Sequence, residues 1–146
     1  MPNWCNNTVR MANIVKRFTK NGEFHFCFND ILKMPEELEN TVAPHDHPNW
    51  YEWRLAYWGT KWDVDDVDRL DNDTIFFETA WCPPEGILAE LSRKYKTTVS
   101  CEWDEEGGCA GYLEYRNGVC VKDEARESHY WDDYEMVDYE TYTKGE

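Results

Sequence analysis

Two runs of predicted secondary structure have the same order, strand then helix then strand, and this order limits the fold more than any other feature of the sequence. In the first run, apolar and polar residues alternate over residues 6–11, as is typical of a strand. Asn13 then precedes a short helix predicted over residues 14–20. Three phenylalanines alternate with polar residues over residues 24–28, which predicts a half-buried strand.

The second run lies further along the chain. Residues 74–81 are rich in β-branched and aromatic side chains, residues 83–95 predict a helix that opens on two prolines, and residues 97–103 predict another strand. This repeated order is that of the split βαβ, or ferredoxin-like, unit. We therefore predict an α+β fold built on a ferredoxin-like sheet.

Two additions to this fold are predicted. An aromatic helix over residues 50–58 lies within an insertion at about residues 31–73, between the two runs. The dipeptide Asn117-Gly118 indicates a C-terminal hairpin that extends the sheet. We interpret residues 1–122 as one domain and residues 123–146 as an acidic, aromatic-containing segment that docks on it.

The charge of the chain is strongly one-sided. Fifteen Lys and Arg residues face thirty Asp and Glu residues, for a formal net charge of −15 at pH 7. Phosphates repel such a surface, so we expect no direct binding to nucleic acid. The sequence has no apolar run of about 18 residues and no N-terminal secretory signal, so we expect no membrane partner and six reduced cysteines in a cytosol.

Four separated motifs carry a family resemblance. They are Met1-Pro2-Asn3-Trp4-Cys5-Asn6-Asn7, Asn49-Trp50-Tyr51-Glu52-Trp53-Arg54, Trp58-Gly59-Thr60-Lys61-Trp62-Asp63 and Thr79-Ala80-Trp81-Cys82-Pro83-Pro84. In this order they resemble the YubB-type family of ferredoxin-like proteins, encoded largely by bacteriophages and plasmids. The resemblance covers roughly residues 1–121. It implies a ferredoxin-like fold and a mobile-element protein in the host cytoplasm, and it implies no particular activity.

The sequence gives little support to catalysis or metal binding. His45-Asp46-His47 lies on a proline-bounded loop without a further convergent ligand, and His25 has no triad partner that the sequence places beside it. The acidic run that begins at Asp63 lacks the glycine and glutamate of a calcium-binding EF-hand loop. Carboxylates over residues 102–106 are typical of a solvated turn. We therefore predict a non-enzymatic protein with no cofactor and no metal site.

The aromatic helix admits two interpretations. Its rings could wedge the helix against the sheet, with the nearby basic side chains stacked on them. Alternatively, the rings could stack on a bound molecule. In that second interpretation, the site for a small ligand or nucleotide consists of Trp50, Trp53, Arg54 and Lys61.

Two segments hold most of the negative charge. Residues 63–73 carry a net charge of −5 and residues 123–146 carry −7. A concentrated acidic surface attracts basic proteins, so our favoured hypothesis is an acidic face that binds and blocks a basic host or defence protein, by mimicry of nucleic-acid charge. Mimicry requires both segments on one face, or a homodimer. The alternative is that the acids maintain solubility. The residues assigned to this face are Asp63, Asp65, Asp66, Asp68, Asp132, Asp133, Glu135 and Asp138.

Overall fold

The computed structural model describes residues 3–132 of the 146-residue chain. The strands in this part are β1 (Trp4–Met11), β2 (Thr19–Lys20), β3 (Glu23–Phe24), β4 (Asp68–Asp71), β5 (Thr74–Ala80), β6 (Val99–Glu105), β7 (Ala110–Arg116) and β8 (Val119–Arg126). The α-helices are α1 (Ile14–Arg17), α2 (Phe28–Ile31), α3 (Trp50–Tyr57) and α4 (Glu85–Lys94). None of the helices in residues 3–132 combines the length and the apolar character needed to cross a membrane.

Six strands form one sheet in the order β4–β5–β1–β6–β7–β8, and all neighbours are antiparallel. At its centre, Val9 of β1 faces Ile75 of β5 on one side and Cys101 of β6 on the other. The first four strands in this order have the ferredoxin-like arrangement, which confirms the predicted fold class. The hairpin of β7 and β8 extends the sheet beyond β6, and Asn117 and Gly118 both adopt the positive φ that its tight turn requires.

The predicted strand over residues 24–28 was wrong. Strand β3 contains only Glu23 and Phe24, and it pairs with β2 in a separate two-stranded sheet. Phe28 instead begins α2, because the carboxylate of Asp63 accepts hydrogen bonds from the backbone N–H groups of Phe28 and Asn29, at 2.7 and 3.0 Å. The strand that completes the first half of the fold is β4, which lies in the acidic segment over residues 63–73, where no strand was predicted.

Three further features of the structure differ from the predictions. The helix predicted over residues 14–20 ends at Arg17, and Asn13 adopts a left-handed backbone conformation without a side-chain cap. Helix α3 lies in the long crossover from β1 to β4, together with α1, α2 and the β2–β3 hairpin. Residues 123–126 continue β8, and residues 133–146 lie outside the described part of the chain.

The hydrophobic core lies between one face of the sheet and the helices. Ile87 and Leu91 of α4 are fully buried in one cluster with Val9, Phe77 and Leu113 of the sheet. Because side chains alternate along a strand, the intervening residues of the same strands point to the opposite face. That opposite face carries the candidate site.

Candidate binding site on the acidic face of the sheet

Acidic side chains from distant parts of the sequence meet on the sheet face opposite to the core. The register across β5, β1 and β6 gives two neighbouring rows, Glu78–Asn6–Asp104 and Phe76–Thr8–Glu102. Adjacent strands lie about 4.8 Å apart, so each row spans about 10 Å. Strand pairing therefore brings Glu78 together with Glu102 and Asp104, which lie more than twenty residues further along the sequence.

Two of these three carboxylates have no partner in the described part of the chain. Asp104 accepts hydrogen bonds from the Ser128 hydroxyl at 2.6 Å and from the His129 backbone N–H at 2.7 Å. The carboxylates of Glu78 and Glu102 make no hydrogen bond or ion pair within residues 3–132. Between Glu78 and Asp104, the buried Oδ1 atom of Asn6 also lacks a donor within these residues. The exposed carboxylates of Glu78 and Glu102 are therefore the hydrogen-bond acceptors that a cationic donor could satisfy.

A cleft opens beside these rows, where β4 stops. Strand β4 pairs with β5 only as far as Asp68, which stands opposite Phe76, so residues 77–80 of β5 have no β4 partner. The segment over residues 62–68 forms the other wall of a cavity of about 410 Å³. The charged residues that line this cavity are Asp63, Asp65, Asp66, Asp68 and Glu78.

Aromatic rings form a second part of the cleft lining. The rings of Trp4 and Trp62 lie 5.9 Å apart, and 38% of the Trp62 surface is exposed. The Lys61 ammonium group lies 4.4 Å from the centre of the Trp62 ring and 4.0 Å from that of Trp81. This shows that a cation already packs on an indole at the edge of the cleft. Carboxylates and indole rings together match the chemistry of an arginine or lysine side chain.

Asp63 differs from the other acids of the cleft because it stabilises the fold. Its carboxylate accepts hydrogen bonds from the backbone N–H groups of Phe28, Asn29 and Val64, at 2.7 to 3.0 Å. The side chains of the exposed residues Asp65, Asp66 and Asp68, by contrast, make no hydrogen bond or ion pair within the described residues. These three remain available to a partner, whereas both oxygens of Asp63 are already engaged.

The substitution Asp63→Ala is expected to lower the free energy of unfolding by about 1–2 kcal/mol, because it removes the side chain that caps α2. Asp65→Ala is the matched control, and its effect should stay within about 0.5 kcal/mol. Urea denaturation followed by tryptophan fluorescence measures both. Equal effects of the two substitutions would contradict the structural role of Asp63.

The C-terminal acids lie only partly within the described residues. Asp132 is paired with His129, whose Nδ1 lies 2.5 Å from a carboxylate oxygen, and this hydrogen bond raises the pKa of the histidine. Asp133, Glu135 and Asp138 lie outside the described residues. Burial, followed by the charges of Glu106 and Glu78, raises the pKa of Tyr130. The beginning of the C-terminal segment therefore lies within electrostatic range of the acidic rows.

The side chains of the alternative ligand site have partners within the protein. The Arg54 guanidinium lies 5.1 Å from the centre of the Trp50 ring and 4.8 Å from that of Trp58, and burial lowers its pKa. The ring of Trp53 packs edge-on against Trp58 at 5.8 Å. Lys61 lies on Trp62 and Trp81, as described above. A ligand at Trp50, Trp53, Arg54 and Lys61 would have to displace these contacts.

Buried cysteines in the core are poor nucleophiles. The thiols of Cys5 and Cys101 both donate to Oδ1 of the buried Asn7, at 3.8 and 3.6 Å. Burial raises the pKa of Cys5 to about 12 and places that of Cys101 well above its ordinary value. Both thiols are therefore protonated near neutral pH, and they pack as small apolar groups.

The sheet order and the crossover through α4 define an α+β domain of the ferredoxin-like class. The chain belongs to the family described as the ferredoxin-like domain in Api92-like protein, which matches residues 57–144. The match extends through most of the acidic C-terminal segment, beyond the residues that carry the YubB-type resemblance.

A crystal structure of protein api92 from Yersinia pseudotuberculosis is similar to this chain, with 18% sequence identity and a TM-score of 0.45. The similarity covers 55% of this chain and 31% of the api92 chain, so the matched region spans about a third of that chain. No curated protein matches the sequence.

Proposed function

We propose that this chain is a non-enzymatic accessory protein of a phage or plasmid whose acidic face binds and blocks a basic site on a host or defence protein. The acidic face consists of Asp65, Asp66, Asp68, Glu78 and Glu102. The mobile-element setting rests on the YubB-type motifs. The binding role rests on the acidic face.

One observation carries this proposal, namely the gathering of unpaired carboxylates around a cleft with aromatic walls. Like charges that are held together on one surface repel each other and destabilise the folded chain. A basic partner relieves that repulsion, and each exposed ion pair adds about 0.2–1 kcal/mol. The exposed part of the Trp62 indole, beside the Lys61 ammonium group, adds a surface for the apolar stem of an arginine or lysine side chain. Solubility alone requires dispersed acids, and it does not require that they share a cleft with tryptophan.

The spacing of the carboxylates sets a limit on nucleic-acid mimicry. Strand β1 lies between β5 and β6. Carboxylates in the same row, such as Glu78 and Asp104, are therefore separated by two strand spacings, about 10 Å. Duplex DNA carries one charge for about 3.4 Å of each strand, so the acidic face is sparser than a phosphate backbone. We therefore propose that it competes for part of a basic nucleic-acid site, and that the acids of the C-terminal segment or a second copy extend the contact.

Two variants with the same net charge test this proposal. The acidic-face variant removes three charges at the site, and the distant variant removes three exposed charges elsewhere. Their substitutions are Asp65→Asn, Asp66→Asn and Glu78→Gln in the first, and Glu36→Gln, Glu37→Gln and Glu39→Gln in the second. Both variants carry a formal charge of −12, which is three less negative than −15, so they differ only in where charge is lost.

Capture from a bacterial lysate then compares the immobilised wild-type chain with both variants. We expect a stoichiometric partner on the wild-type chain and on the distant variant, loss of this partner on the acidic-face variant, and its release by moderate salt or by added duplex DNA. A partner that all three chains retain, or that resists both salt and DNA, would contradict the proposal.

A further inference from the structure

A second site lies in the turn between β3 and α2, away from the acidic face. The ligand atoms of His25, Cys27 and Asp30 all lie within 4.8 Å of one another. His25 Nε2 is 3.3 Å from an Asp30 carboxylate oxygen. The sulfur of Cys27 lies within 4.8 Å of the ligand atoms of both other residues. Imidazole, thiol and carboxylate therefore already converge on one point.

The local backbone explains why these three side chains meet. The His25 backbone N–H donates to the Phe18 carbonyl at 2.9 Å, which ties this turn to the end of α1. Phe26 and Phe28 point into the core with 4% and 0% of their surface exposed, so the alternating residues His25 and Cys27 point outward. Helix α2 then begins at Phe28 and carries Asp30 back over Cys27.

We propose that His25, Cys27 and Asp30 bind a divalent transition metal of the zinc class, with one coordination position left open. Nitrogen, sulfur and carboxylate oxygen are the ligand atoms that zinc takes from proteins, and three protein ligands with one open position is the usual set at an accessible zinc site. Bonds of about 2.0–2.3 Å place the ligands of a tetrahedral ion about 3.3–3.8 Å apart. The side chains of His25 and Asp30 are 72% and 62% exposed, so they are free to close the remaining distance.

The surroundings indicate what the open position faces. A cavity of about 400 Å³ adjoins His25 and Asp30, and its lining includes Glu23 together with Arg17, Lys20 and Lys94. The three basic side chains favour an anion over a second metal ion in this cavity. We therefore expect the chain to bind one metal ion at this site.

Cobalt substitution of the untagged, reduced, full-length chain tests this site. Titration with Co²⁺ should give the sulfur-to-cobalt charge-transfer absorption and intense visible bands of a tetrahedral thiolate site, saturating at one equivalent, and Zn²⁺ should abolish both. Cys27→Ser should remove the charge-transfer band. His25→Gln, which alters an exposed side chain and leaves the core untouched, should weaken Zn²⁺ binding at least about tenfold.

Two exposed cysteines elsewhere provide the matched controls. Cys109→Ser and Cys120→Ser should leave the cobalt spectrum and the zinc affinity unchanged. Absence of the band in the wild-type chain, its persistence in Cys27→Ser, or its loss in either control would overturn the proposal. Circular dichroism of each variant confirms that it is folded. None of these outcomes depends on whether the acidic face binds a partner.

Discussion

Gly86→Ala is expected to lower the free energy of unfolding by about 3 kcal/mol or more. Gly86 lies in the first turn of α4, where an added Cβ atom would stand 1.9 Å from the carbonyl oxygen and 2.6 Å from the carbonyl carbon of Tyr57. These are backbone atoms at the end of α3, so no side-chain rotation relieves the clash. Helix propensity alone favours alanine over glycine by up to about 1 kcal/mol, but the clash outweighs it.

Urea denaturation followed by tryptophan fluorescence measures this effect, with Gly107→Ala as the control. At Gly107 the added Cβ atom would meet the carboxylate of Glu105 at 2.8 Å, which is the far end of a flexible side chain. The control should therefore change the free energy of unfolding by no more than about 1 kcal/mol. If Gly86→Ala matched this control, the close approach of α3 to α4 would be contradicted.

Asn7→Asp is expected to destabilise the protein by about 4 kcal/mol or more at pH 7, although it leaves the side-chain volume almost unchanged. Asn7 is fully buried, and its Nδ2 group donates to the carbonyls of Cys5 and Phe77 and to the hydroxyl oxygen of Thr79, at 2.9 to 3.3 Å. Aspartate would place a carboxylate against the two carbonyl oxygens. The substitution thus replaces a satisfied donor by a buried charge.

The loss should depend on pH in a defined direction. Burial raises the pKa of the introduced carboxyl group above its unfolded value of about 3.9, so the native state binds more protons than the unfolded state. The stability of Asn7→Asp relative to wild type therefore falls as pH rises, by up to about 1.4 kcal/mol per pH unit, between the unfolded and folded pKa values. Denaturation curves across pH test this. Asn72→Asp, at an exposed turn, should show no such slope.

Hydrophobic alternation predicted most of the sheet. Residues 74–81 and 97–103 correspond to β5 and β6, and the turn at Asn117 and Gly118 lies where the dipeptide placed it. In the six-stranded sheet the missed strand was β4, whose sequence Asp68-Arg69-Leu70-Asp71 is exposed at every position and has one apolar residue, so it shows no apolar alternation. The phenylalanines over residues 24–28 are buried alternately as predicted, but the cap from Asp63 turns the chain into a helix at Phe28.

The candidate site was harder to predict, because it depends on register. Asp65, Asp66 and Asp68 were identified from their local concentration of charge. Glu78 was missed because it is the single acid of β5, and Glu102 was interpreted as part of a solvated turn; only the pairing through β1 brings the two onto one face. Their position opposite to the buried residues of the predicted strands was the available signal. Nothing in the acidic run distinguishes Asp63, whose role depends on the distant N–H groups of α2.

Binding of a basic peptide tests most directly whether the placement of charge, rather than its total, makes the acidic face a binding surface. The probe is a fluorescently labelled octapeptide of alternating arginine and serine, titrated with each chain at low and physiological salt while anisotropy is followed. The wild-type chain and the distant variant should bind it equally. The acidic-face variant should bind about tenfold more weakly, since three exposed pairs at about 0.5 kcal/mol each amount to about one decade in affinity. Equal weakening by both variants would contradict the account, because the peptide would then respond to net charge alone.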